Sequence, residues 1–283
     1  MFRLVDASQG IREAVPAELV PLFWAVTLFG SAKFLLVALS LAYWNLADRR
    51  DDLLALVSLA FVALTLTLVL KYGFDLPRPP ESVQRYPVET SSVGFPSGHA
   101  IAATVVYGGF VVVLERARDP RAVGVAAFAA LAIGLSRVVL GVHYLGDVLA
   151  GWAVGLVVLV PIAFLVREGA IYGFAVAGVL SVPALVVTGA NPDAVLALGG
   201  SLGGLVGTLV RSPAPAFRTV AERVAISAAG VVFIVGAVAV ESAVESVLPA
   251  AAAVNFLLVL TIVAVPMASG RLDSLGPASR ANW

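Results

Sequence analysis

The sequence has 283 residues, of which 60% are hydrophobic and 13% are charged, and its mean hydropathy is +0.99. Soluble domains carry about one quarter charged residues, and a soluble chain of this length could not bury so much apolar surface, so we exclude a soluble globular protein. The 18 basic residues balance the 18 acidic ones, which gives no reason to expect a nucleic-acid partner, and the absence of cysteine excludes disulfides and thiolate metal sites.

Residues 1–20 precede the apolar part of the chain. Charged residues interrupt every apolar stretch here, so we do not expect a cleavable signal peptide. Ile11, Val15 and Leu19 recur at helical spacing, which predicts an amphipathic helix on the membrane surface. Pro16 argues against an unbroken helix, and a frayed polar terminus is the alternative.

Uncharged apolar runs follow, each near the ~20 residues that cross a bilayer. They predict an all-α fold, a polytopic transmembrane helix bundle of about nine spans. The predicted spans are Pro21–Trp44, Leu53–Leu70, Ser97–Leu114, Ala122–Leu140, Gly146–Val166, Ala170–Ala190, Ala194–Val210, Val224–Val240 and Pro249–Met267. The proline-rich gap between the second and third spans is predicted to be a loop.

One charge falls inside a predicted span. Lys33 lies near the middle of the first span, where a charge is costly and is usually paired or functional. We expect Lys33 to pair with an acidic side chain rather than to act in catalysis, and a lipid headgroup is the alternative partner.

The basic residues between the spans give the orientation. Counted on alternate sides of nine spans, most Lys and Arg residues fall on one side, which the positive-inside rule assigns to the cytoplasm. Those residues are Arg49, Arg50, Arg116, Arg118, Arg121, Arg167, Arg211, Arg218, Arg223, Arg271 and Arg280. The loop after the second span and the turn after the fourth therefore face the extracytoplasmic side.

Three polar clusters interrupt the apolar background, all on this extracytoplasmic side. They are residues 71–79, 95–99 and 136–147, and together they contain both histidines of the chain, His99 and His143. Their concentration at one face makes this face the candidate functional site.

The side chains of these clusters suit a tetrahedral phosphate ester. Lys71, Arg78 and Arg137 supply three cations, and the two arginines can hold phosphate oxygens with two hydrogen bonds each. Ser97 and Gly98 open the third span, where free backbone N–H groups and the helix dipole favour an anion. The missing side chain of Gly98 lets that backbone approach closely.

The two histidines differ in their neighbours. His143 and Asp147 are four residues apart, so on a helix the carboxylate can orient the imidazole. His99 is a separate candidate for acid–base work near neutral pH. Two such histidines allow one to attack phosphorus while the other protonates the leaving oxygen.

The clusters resemble the signature of the type 2 phosphatidic acid phosphatase superfamily, K-x6-R-P, P-S-G-H and S-R-x5-H-x3-D, and every specified position is matched. The resemblance implies that His143 is the nucleophile, which forms a phosphohistidine, that Asp147 orients it, and that His99 is the general acid. It also implies metal-independent chemistry without a cofactor. The phosphoryl oxygens would be bound by Lys71, Arg78, Ser97, Gly98 and Arg137. Many members have Ser or Thr before the motif aspartate, where this chain has Gly146.

We therefore divide the chain into an N-terminal segment (1–20), a five-span phosphatase core (21–166) and a four-span C-terminal extension of unknown role (167–283). Glycines in the extension have small-xxx-small spacing, which favours close helix packing and would also allow oligomerisation. They are Gly199, Gly200, Gly203, Gly204 and Gly207.

The leading hypothesis is a multi-pass phosphatase of the cell membrane whose site faces the extracytoplasmic side. Its partners would be membrane lipids and a lipid phosphate or pyrophosphate substrate. A lipid phosphotransferase could use the same phosphohistidine. A transporter or flippase is the alternative from another class, and it should carry its polar groups near the bilayer midplane.

Overall fold

The computed structural model describes residues 2–86, 91–214, 216–217 and 219–267. The helices within these ranges are α1 (Val5–Ala14), α2 (Val20–Leu28), α3 (Ala32–Asn45), α4 (Arg50–Phe74), α5 (Gly98–Val113), α6 (Pro120–Val139), α7 (Leu145–Arg167), α8 (Ala170–Thr188), α9 (Pro192–Val210), α10 (Val220–Val244) and α11 (Leu248–Ala264). The described residues form no strand, and a single bridge joins Pro77 to Val93. The predicted all-α fold is confirmed.

Helix α4 is the centre of the bundle. Its 25 residues extend for about 37 Å, which exceeds the ~30 Å hydrocarbon core of a bilayer. Leu54, Leu56 and Leu59 are fully buried, and α3, α5, α8 and α9 pack around the helix. The two ends of α4 therefore lie on opposite sides of a membrane.

Local signals in the sequence set the helix ends. Helix α4 ends at Phe74, and the following residue, Asp75, adopts a left-handed conformation and donates its N–H to the carbonyl of Lys71 at 3.0 Å. Asp119 caps α6 by accepting the N–H groups of Arg121 and Ala122, and Pro120 occupies the first helical position. The end of α4 thus lies within the first polar cluster, whereas the capped start of α6 lies at the opposite end of that helix from Arg137.

The predicted number of spans is wrong. Among the described residues, six helices are long and apolar enough to cross a membrane, or seven if a bent pair counts as one span. The bend lies inside the first predicted span, Pro21–Trp44, and separates Ala17–Leu28 from Ala32–Asn45 at an angle of 53°. Helices α5 and α11, with 16 and 17 residues, are shorter than a typical span. An apolar run shows composition, and it does not show where the helix breaks.

Lys33 lies in the first turn of α3, directly after this bend. Its side chain is exposed, and no acidic side chain in the described ranges forms an ion pair with it. The expected pairing of Lys33 is therefore not observed.

The end of α4 opposite to the polar clusters also carries charge. Arg211 pairs with Asp51 at 2.6 Å, and Arg167 pairs with Glu115. These arginines belong to the set predicted for the cytoplasmic side. Three others of that set, Arg218, Arg271 and Arg280, lie outside the described residues.

The glycines of α9 serve packing within the chain. A methyl group at Gly199 or Gly203 would overlap the backbone of α11, and one at Gly204 would overlap the ring of Phe174. The close helix packing that the spacing predicts is therefore present between α9 and its neighbours. Oligomerisation through these helices stays a prediction.

We predict that Gly203→Ala destabilises the protein, because the new methyl group would meet the rigid carbonyl of Phe256. The matched control is Gly236→Ala on α10, where nothing lies within 4 Å of the added group and the helix gains about 1 kcal/mol in propensity. Thermal unfolding in detergent should show a lower midpoint for Gly203→Ala only. Equal midpoints would contradict the packing described for α9 and α11.

Candidate active site

The three polar clusters meet at one end of the bundle. Lys71 lies in the last turn of α4, and Arg78 lies in the loop that follows. Ser97 precedes α5, and Gly98 and His99 form its first turn. Arg137 lies in the last turn of α6, His143 lies in the turn between α6 and α7, and Asp147 lies in the first turn of α7. The structure thus brings all eight predicted site residues to the same face.

The turn between α6 and α7 is folded tightly. The carbonyl of Arg137 accepts the N–H groups of Val142 at 3.2 Å and His143 at 3.3 Å. Gly141 has a positive φ of 76°, and a methyl group there would overlap the carbonyl of Val83. This turn places the imidazole of His143, only 1% exposed, inside the site.

The contacts of His143 indicate which of its two ring nitrogens carries the proton. Arg78 Nη1 lies 3.1 Å from His143 Nε2, and because a guanidinium only donates, Nε2 must be the acceptor. The proton of the neutral ring is then on Nδ1, which lies 3.5 Å from Asp147 Oδ2. That separation is longer than a hydrogen bond, so the pair must close further to make one.

The surroundings of His143 favour its neutral form. Burial lowers the pKa of His143 well below the ordinary value of 6.5, and the nearby cations Arg78, Arg137 and Lys71 lower it further. The unprotonated Nε2 is therefore the main form at neutral pH.

Helix α5 is fixed against the neighbouring helices at its first residues. The N–H of Ser97 donates to the carbonyl of Asp147 at 2.9 Å. The hydroxyl of Ser97 is buried and makes no hydrogen bond within the described ranges, so it is available to a ligand oxygen. A methyl group at Gly98 would press on the side chain of Thr67.

His99 is half-buried and lies beside the bend between α2 and α3. A methyl group at Gly30 of this bend would approach the imidazole of His99 to 3.2 Å. His99 is within electrostatic range of Lys71, Arg78 and Arg137, the same cations that surround His143. The two imidazoles therefore share one positively charged pocket.

Two contacts of the site involve residues that the motifs do not contain. Arg137, which is 1% exposed, donates from Nη1 to Thr27 Oγ1 at 2.9 Å. Arg3 Nε and Nη2 donate to the two carboxylate oxygens of Asp147, at 2.7 and 2.8 Å. Asp147 is 0% exposed, and its Oδ2 also accepts the N–H of Tyr144 at 2.9 Å. In the sequence, Gly146 was the one departure from the family pattern noted beside Asp147.

Within the described ranges, no three histidine, aspartate or glutamate side chains are grouped so that they could hold a metal ion. Metal-independent chemistry stays a prediction. Three cations of the site, Lys71, Arg78 and Arg137, suit an anionic substrate directly.

Comparisons with known proteins agree with the motifs. Residues 52–171 match the family model of the PAP2 superfamily, which confirms the resemblance. Over 75 residues the chain is 39% identical to phosphatidylglycerophosphatase B of Bacillus subtilis (strain 168), an alignment that covers 24% of this chain and 37% of that protein. The match thus spans little more than a third of this relative.

A crystal structure of a transmembrane PAP2 type phosphatidylglycerolphosphate phosphatase from Bacillus subtilis is also similar. Its sequence is 26% identical, the alignment covers 57% of this chain and 83% of that chain, and the TM-score is 0.48.

We predict that the ring of His143 stays neutral, with its proton on Nδ1, well below pH 6.5. Because the chain has only two histidines, 15N NMR of histidine-labelled protein in detergent can follow both rings, and His99→Gln assigns the signals. A His143 midpoint at or above 6.5 would contradict the burial and charge described here.

Proposed function

We propose that this chain, with its PAP2 superfamily segment at residues 52–171, is an integral membrane phosphatase of the cell membrane. It hydrolyses a lipid phosphate or pyrophosphate monoester at the extracytoplasmic face through a phosphohistidine. One observation carries the proposal: the unprotonated Nε2 of His143 is held in a buried pocket with Arg78, and Nδ1 of the same ring faces Asp147.

The pocket binds the phosphoryl group before the reaction. Lys71, Arg78 and Arg137 neutralise its oxygens, and the hydroxyl of Ser97 and the backbone of Gly98 donate to them. The buried, unsatisfied hydroxyl of Ser97 supports this assignment. Arg78 exchanges its contact with His143 for a phosphate oxygen, which frees the lone pair of Nε2.

In the first step, His143 Nε2 attacks phosphorus. The N–P bond forms while the bond from phosphorus to the lipid oxygen breaks, and its electron pair stays on that oxygen. The negative charge of the bound phosphoryl group offsets the cations around His99 and favours its protonated ring. That ring donates a proton to the oxygen, and the lipid alcohol (or lipid phosphate) leaves. The phosphorylated ring gains positive charge, which Asp147 stabilises through the proton on Nδ1.

In the second step, water attacks phosphorus and His99 takes up its proton. The N–P bond breaks, its electrons return to Nε2, and inorganic phosphate leaves. An alcohol in place of water would give a phosphotransferase by the same chemistry. Analysis of products with and without an acceptor alcohol distinguishes these two outcomes.

Separate observations support the lipid substrate and the extracytoplasmic position of the site. A relative of part of this chain bears the name phosphatidylglycerophosphatase B, and the apolar helices make the chain a multi-pass membrane protein. At the far end of α4 lie Arg49, Arg167 and Arg211, which by the positive-inside rule belong to the cytoplasm. The site at the end near Lys71 then faces outward.

A transporter is the less well supported function for the same helices. The motif charges lie at helix ends and in the turn between α6 and α7, whereas a transporter should place its polar groups near the midplane.

We predict that the kcat/KM values of His99→Gln and His143→Gln respond differently when the leaving group of the substrate is changed. With phosphatidate, both variants should lose at least about a hundredfold in kcat/KM, the scale of one acid–base or nucleophilic group. With p-nitrophenyl phosphate, whose leaving group needs no proton, His99→Gln should recover much of the loss and His143→Gln should not.

The assays use the full chain in detergent with EDTA present, and thermal unfolding controls for folding. Equal rescue of both variants would contradict the assigned roles. Complete loss of wild-type activity in EDTA, restored by a divalent metal, would contradict the metal-independent mechanism.

A further inference from the structure

Arg3 makes the closest contacts to the buried carboxylate of Asp147. Both Asp147 oxygens accept from its guanidinium, at 2.7 and 2.8 Å, and the Arg3 side chain is only 13% exposed. The remaining Nη1 donates to the carbonyl of Pro77 at 2.7 Å. One side chain outside the motifs therefore joins the loop of Arg78 to the carboxylate beside His143.

The N-terminal segment packs against the start of α7 and forms hydrogen bonds with it. The N–H of Gly146 donates to the carbonyl of Arg3 at 3.1 Å. The hydroxyl of Ser8, fully buried, accepts the N–H of Leu145 at 2.8 Å. A methyl group at Gly146 would overlap the backbone of Phe2 and Arg3. The glycine that replaces the usual Ser or Thr thus provides the space in which Arg3 lies.

We propose that Arg3 is a positioning residue of this phosphatase, which acts through Asp147 to hold His143 in its neutral, attacking form. This inference rests on the proposed function. Arg3 fixes the orientation of the carboxylate and compensates its charge, so that Asp147 orients the proton on Nδ1 without drawing a second proton onto the ring.

The charges around His143 explain why this compensation matters. The charged and titratable groups around the ring are Lys71 on α4, Arg78 in the following loop, His99 on α5, Arg137 on α6 and Asp147 on α7, and Arg3 of the N-terminal segment is paired with Asp147. Asp147 is the acidic member of this set. Without Arg3, its uncompensated charge favours the imidazolium, and a protonated ring cannot attack phosphorus.

The test compares the pH dependence of kcat/KM for phosphatidate in detergent micelles. This quantity reports the ionisation of the free enzyme. In Arg3→Gln the acidic limb should move upward by about one pH unit, the lower end of the shift that one nearby opposite charge causes. Arg3→Lys, which keeps the charge, should return the limb toward the wild-type position.

Arg85→Gln is the matched control. Arg85 also holds the N-terminal segment, through the carbonyls of Arg12 and Val15 at 2.9 and 2.8 Å, but none of its described contacts involves Asp147. In Arg85→Gln the acidic limb of the pH profile of kcat/KM should stay at the wild-type position. If Arg3→Gln does not fold, Gly146→Ala displaces Arg3 without removing it and should give the same upward shift.

A lower kcat with an unmoved limb in both Arg3→Gln and Gly146→Ala would overturn the proposal, because a merely structural role gives that result. NMR titration of His143 in wild type and Arg3→Gln gives a readout that needs no turnover. If wild type hydrolyses no lipid phosphate while Arg3→Gln still raises the His143 midpoint, the proposed function fails and the coupling of Arg3 to His143 stands.

Discussion

A fully buried carboxylate, Asp147, is the constraint on which this end of the molecule depends. An uncompensated charge in such a place costs several kcal/mol, so the fold must bring hydrogen-bond donors to it. Arg3 and the N–H of Tyr144 satisfy its oxygens. The backbone carbonyl of Asp147 accepts the N–H of Ser97. The start of α7 is thereby tied to both α5 and the N-terminal segment.

The same burial supports the proposed chemistry. Water is excluded from His143, so the three cations around it act through a medium of low dielectric and hold the ring neutral. They also form the pocket that a phosphoryl group would enter. A pocket lined by Lys71, Arg78 and Arg137 is electrostatically matched to a dianionic phosphate, and in the proposed mechanism Arg78 exchanges its contact with His143 for a phosphate oxygen.

The sequence predicted the helical fold and the set of polar residues that meet at one face, but it did not predict where the helices break. Apolar runs and motif spacing were sufficient for the helical fold and for the shared face of Lys71, His99 and His143, because these signals are local. The bend after Leu28 was missed because the run from Pro21 to Trp44 is apolar on both sides of it, although Gly30 and the N-cap Ser31 lie at the bend. The Arg3–Asp147 contact joins residues 144 positions apart, and no periodicity reports such a distance.

The central claim is that His143 carries the phosphoryl group, and trapping that intermediate tests it most directly. We predict that His99→Gln, treated with 32P-labelled p-nitrophenyl phosphate and quenched in alkali, retains label that is stable to base and labile to acid. Peptide mapping should place this label on His143, and His143→Gln should retain none. Turnover without a labelled protein, or label on another residue, would contradict the phosphohistidine mechanism.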